Sequence, residues 1–146
     1  MRNLIEQKMI GIVGEPFWAV GRAAALLWIQ IGERQSVAAW GGGTKEVGKY
    51  ALHIDCSWHW KQGAIAIADQ NSSLDMLSNR LQSPIFCRNI TVTSKGVLKI
   101  TFNDDSILTV IADARDPDDE DEELWRFFQP GEDTPHLVVG SQGIIM

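Results

Sequence analysis

Residues 50–60 read Tyr50-Ala51-Leu52-His53-Ile54-Asp55-Cys56-Ser57-Trp58-His59-Trp60. Tyr50, Leu52, Ile54, Cys56, Trp58 and Trp60 alternate with Ala51, His53, Asp55, Ser57 and His59. A period of two sustained this far puts the large apolar side chains on one face and the polar ones on the other, which predicts a half-buried strand. Gln62-Gly63 predicts a turn, and residues 64–68 (AIAIA) return as the hairpin partner.

Working toward the C-terminus, residues 86–93, 97–102 and 106–112 predict a three-stranded meander. Its turns are Ser94-Lys95-Gly96 and Asn103-Asp104-Asp105. Residues 124–128 and 136–139 add two short strands, separated by Pro130-Gly131. Toward the N-terminus, residues 26–32 and 37–40 predict strands with a turn over 33–36. The alanines of 18–25 (WAVGRAAA) argue for a turn or short helix over 17–24. The apolar stretch 3–13 predicts a first strand. Residues 73–81 predict a short helix, capped by Ser72 or Ser73 ahead of Asp75. The expected fold is mainly β: one domain over 1–146, an antiparallel barrel or sandwich of about eight or nine strands with one or two short helices.

The chain has 146 residues, 45% of them hydrophobic, and a net charge of −6. That charge is local. Residues 113–123 (DARDPDDEDEE) hold eight acids against one base and stand at −7, whereas the rest holds eleven acids and twelve bases. The expectation is therefore a nearly neutral domain with one acidic loop, either a solvated segment that keeps the protein soluble or a docking surface for a basic partner. An EF-hand needs alternating ligands and a central glycine, and this run has neither. The chain as a whole is not basic, which argues against nucleic-acid backbone binding. No apolar run is long enough for a spanning helix, and 1–14 lacks the pattern of a secretory signal, so the expected compartment is the cytoplasm. Cys56 and Cys87 sit outside any Cys-x-x-Cys and are expected as reduced, buried thiols. Six tryptophans, Trp18, Trp28, Trp40, Trp58, Trp60 and Trp125, are expected mostly in the core. Any exposed one would mark a binding face.

Catalytic patterns are weak. Gly41-Gly42-Gly43-Thr44 lacks the Gly-Lys-Ser/Thr ending of a phosphate loop, and there is no Gly-x-Ser-x-Gly. His53 and His59 share a strand face, but at ~3.4 Å per residue they stand about 20 Å apart, too far for one metal ion. No metal, no cofactor and no catalytic residue is expected. The one constellation with any chemistry, a hydrolase-like set of His53, Asp55 and His136, requires all three to converge.

The segments GEPFWAVGRAAALLWIQIG (14–32), GGTKEVGKYALHIDCSW (42–58) and LWRFFQPGEDTPHLVVG (124–140) resemble a widespread family of small uncharacterised bacterial proteins. The shared features are Arg-Ala-Ala followed by Trp-x-Gln, Tyr-Ala-Leu-His, and Trp-Arg-x-Phe followed by Pro-Gly and Pro-His. The resemblance implies a bacterial cytosolic protein and brings no catalytic residue with it. It directs attention to Arg22, Trp28, Gln30, His53, Trp125, Arg126 and His136.

The leading expectation is a non-enzymatic protein-interaction module, of the immunity or antitoxin kind, that masks a basic toxin domain. Its surface would be Asp116, Asp118, Asp119, Glu120, Asp121, Glu122 and Glu123, with Trp125 as the aromatic anchor. The alternatives are a β-barrel that binds a small apolar ligand and the hydrolase-like enzyme. No nucleic acid and no membrane is expected as a partner.

Overall fold

A computed structural model describes residues 2–116, 118, 119 and 121–145. The strand predicted over 50–60 is present, but it breaks at Asp55-Cys56 into β3 (Thr44–Ile54) and β4 (Ser57–Gln62). Its alternation survives the break: Leu52, Ile54, Trp58 and Trp60 are all buried, with His53, Asp55, Ser57 and His59 outside them. The break lets one continuous pattern serve two parts of a sheet that curls over a single core.

The remaining elements are α1 (Arg2–Met9) with a 3-10 turn at Ile10–Ile12, β1 (Pro16–Ala23), β2 (Leu26–Ala38), β5 (Ile65–Asp69), α2 (Asp75–Arg80), β6 (Ile85–Val92), β7 (Leu98–Phe102), β8 (Ser106–Ile111), β9 (Trp125–Phe128), β10 (Leu137–Gly140) and β11 (Gly143–Ile144). Every pairing is antiparallel. Among the described residues the strand order is β11-β10-β9-β3-β2-β1-β6-β7-β8-β4-β5. The fold is thus mainly β, but it is an open sheet of eleven strands and not a closed barrel of eight or nine. The ladder that joins its two parts is short, β1–β6 at Pro16↔Phe86 and Phe17↔Ile85, and is extended by the Gly14 N–H donating to the Cys87 carbonyl and the Cys87 N–H to the Glu15 carbonyl.

The edge strand β5 does not pair with β1. The gap is covered by α2, which packs against both, and by Arg22 of β1. The Arg22 guanidinium donates to the carbonyls of Asp69 (3.0 Å), Gln70 (3.1 Å) and Ser72 (2.6 Å). A fork of fixed donors on three carbonyls does here what ladder hydrogen bonds do in a closed barrel. Inside, Trp60 stacks on Phe102 (centroids 4.9 Å, 12°), and Phe17 meets both edge-on at 6.4 and 4.7 Å. Trp60 Nε1 donates to Ser106 Oγ at 3.2 Å, satisfying its polar atom within the core.

Three local expectations are corrected. Residues 3–13 begin as helix and not strand. Ile5 and Met9 lie four apart and are buried while Leu4 and Ile10 face solvent, a helical period that a short apolar run conceals. Residues 17–23 lie in strand β1 and Ala24 in the turn after it, because pairing with β2 overrides the helix propensity of alanine. Gly21 is required there: a Cβ would collide with the Trp28 ring lying across it. The turn expected over 33–36 is absent. β2 runs on to Ala38 through a register shift between Ile31 and Arg34, made possible by Gly32 at φ +85°. The helix expected over 73–81 is α2, and Ser73 Oγ accepts from the Asp75 N–H at 3.1 Å at its start.

Candidate functional site

The outward face of β2, β3 and β9 carries a continuous cross-strand row. Trp28 pairs with His53, His53 with Arg126, and Arg126 with Val138 of β10. The next row sets Gln30 beside Ala51 and Ala51 beside Phe128. Odd-numbered neighbours on β2 and β9, such as Ile29 and Phe127, point into the core, so pleat alternation sends Trp28, Arg126 and Phe128 outward.

Phe128 connects the two imidazoles on this face. His53 meets it edge-on (4.8 Å, 90°), and His136 stacks on its ring (4.5 Å, 20°). Arg126 Nε donates to Glu123 Oε1 at 3.0 Å, and Nη2 reaches the same carboxylate. Arg126 Nη1 lies 2.8 Å from His136 Nδ1. A guanidinium only donates, so Nδ1 is the acceptor and the ring proton sits on Nε2. Burial, followed by the Arg126 charge, lowers the His53 pKa from its ordinary value of 6.5.

Asp55 does not join the two histidines. It lies at the β3–β4 break, paired with Arg115 at 2.8 Å. With Cys56, Ser57, Asp113 and Arg115 it lines a separate cavity of about 230 Å³. Burial, then Asp113 and Asp55, push the Cys56 thiol up to about 12, and burial pushes Cys87 up to about 11, so neither is prepared as a nucleophile. Among the described residues no three His, Cys, Asp or Glu side chains gather as a metal site. No helix there is long and apolar enough to cross a membrane.

The acidic segment joins β8 to β9 and divides into two kinds of carboxylate. Glu122 turns inward, accepting the N–H groups of Arg115 (3.2 Å) and Asp116 (3.0 Å). Those bonds and the Arg115 guanidinium hold its carboxyl below the ordinary range. Glu123 is taken by Arg126. Asp116, Asp118, Asp119 and Asp121 remain exposed. Asp116 and Asp119 each accept the N–H two residues on, at 3.1 and 3.0 Å, which fixes the local turns. Glu120 lies outside the described residues.

The expectation for Trp125 changes. Trp125 is 1% exposed and belongs to the core, so it offers no surface to a partner. The exposed tryptophan is Trp40, at the tip of the β2–β3 hairpin, which no motif had singled out. Arg22 and Gln30 have structural roles: Arg22 clamps the turn after β5, and Gln30 Oε1 accepts the Gly48 N–H at 2.8 Å beside the β2–β3 register shift. Phe128 and Glu123 complete the outward cluster. Phe128 was legible in the alternation of 125–128, but its contacts with two imidazoles were not. Compared with known protein families, curated proteins and solved structures, the chain matches none.

Proposed function

We infer that this chain is a non-enzymatic protein-interaction module whose acidic β8–β9 connection docks a basic partner, in the manner of an immunity or antitoxin protein that masks a cationic toxin surface. The observation that carries this reading is the state of the acidic segment. Its one base, Arg115, is occupied by Asp55 and Glu122, while Asp116, Asp118, Asp119 and Asp121 stand in solvent on hydrogen-bonded turns. Uncompensated charge of one sign steers association and discriminates partners by charge. The resemblance to small bacterial proteins is compatible with this role, and the cytoplasm is its natural compartment.

The reading is tested by capture from a bacterial host with the wild-type chain and with the quadruple variant Asp116→Asn, Asp118→Asn, Asp119→Asn, Asp121→Asn. The wild type is expected to retain a basic protein whose association rate falls steeply as salt rises. The variant is expected to lose both. An unchanged partner with unchanged salt dependence in the variant overturns the reading.

Binding of an apolar ligand inside the sheet finds less support, because Phe17, Trp60 and Phe102 fill that interior. A hydrolase-like role finds less support because Arg115 holds Asp55 apart from the His53–Phe128–His136 cluster.

A further inference from the structure

Between α1 and the connection from β9 to β10 lies a cavity of about 470 Å³, within the range of small-molecule sites. Phe128 and Pro135 supply its apolar wall, and Lys8, Gln129, Thr134 and His136 supply polar groups. The stacked Phe128–His136 pair presents a flat wall of conjugated rings. The polar lining is biased toward donors. Lys8 is exposed and makes no ion pair among the described residues. His136 is committed to the tautomer with its proton on Nε2, because Arg126 occupies Nδ1. Among the described residues no carboxylate lines the cavity. Glu132 and Asp133, in the same connection, are exposed and lie outside the lining, and Glu123 is engaged by Arg126.

We propose that this cavity binds a small aromatic carboxylate, with Lys8 and the His136 Nε2–H meeting the carboxylate and the Phe128–Pro135 wall taking the ring. The site is separate from the acidic connection and stands whether or not that connection docks a basic protein. Arg126 acts at one remove: by holding Glu123 and donating to Nδ1, it orients the imidazole and sets which nitrogen can donate.

The test uses the full isotope-labelled chain titrated with benzoate, its neutral counterpart benzamide, and inorganic phosphate, read by NMR at Lys8 and His136. Benzoate is expected to shift both saturably. Benzamide, which keeps the ring and lacks the charge, is expected to bind more weakly. Lys8→Met is expected to weaken benzoate by about two- to fivefold, the value of an exposed ion pair, and to leave benzamide unchanged. His136→Phe keeps a stacked ring and removes the donor, and is expected to weaken benzoate as well. If that variant fails to fold, Lys8→Met on the exposed side of α1 decides alone. The proposal is overturned by the absence of a saturable shift with benzoate, by benzamide binding as well as benzoate, by phosphate alone reproducing the benzoate shifts, or by benzoate affinity unchanged in the variants.

Discussion

Arg126 and His136 form a directed pair: Nη1 donates to Nδ1 at 2.8 Å while Nε and Nη2 hold Glu123. One side chain thereby fixes a carboxylate and an imidazole tautomer together. Replacing Arg126 with Met should release His136 into a mixture of tautomers, visible in long-range proton–nitrogen NMR correlations of the imidazole. Glu123→Gln should leave the tautomer intact and cost about 1 kcal/mol or less, because the ion pair is about one-third exposed.

The stacked Trp60 and Phe102, with Phe17 across their edges, form a fully buried aromatic cluster in the core. Phe102→Ala should lower unfolding stability by about 3–5 kcal/mol, measured by urea titration. Truncation removes ring contacts with two partners at once, and the fully buried surroundings have little freedom to close the cavity.

Ala24 occupies the β1–β2 turn with φ 55°, in the left-handed region where a Cβ is crowded. Glycine relieves that crowding and gives back part of the gain through a more flexible unfolded chain. Ala24→Gly should therefore raise stability by about 0.5–1 kcal/mol, with an unchanged denaturant slope.

The depressed pKa of His53 links stability to pH. The unfolded chain takes up a proton near 6.5, whereas the folded chain resists protonation until a lower pH, so protonation favours unfolding. Stability should hold above about 6.5 and fall as the pH drops through that value toward the folded pKa. His59, lowered by burial and then by Lys61 and Lys99, acts in the same direction. His53→Gln should flatten this acid limb in part, as read from urea midpoints across pH 5–8, the span in which imidazoles titrate. The fall contributed by Glu122 comes at lower pH, below the ordinary carboxyl value of 4.5.

Both thiols are held protonated. In the folded protein Cys56 and Cys87 should react with a disulfide reagent at neutral pH about a hundredfold or more slowly than free cysteine. The ordinary rate should return in urea. A fast-reacting thiol in the folded chain would contradict the burial that raises both values.

The sequence by itself determined the strands whose pleat sets a polar face against an apolar one: 50–60, the meander of 86–112, and the short strand at 124–128. Period-two alternation is a local property that survives whatever the strand packs against, which is why it ran unbroken through the Asp55-Cys56 bend. The gathering of charge in 113–123 was equally plain. Tertiary structure alone decided the rest. β1 is strand because β2 lies beside it, despite its alanines. β5 is left as an edge because Arg22 and α2 cover the gap where another pairing would close the ring. His53, Phe128 and His136 meet because β3 and β9 are neighbours, although more than seventy residues separate the first two in the chain. Asp55, only two residues from His53, is held elsewhere by Arg115. Such proximities depend on which distant strands pair and where a strand bends, and neither is written in the local periodicity of side chains.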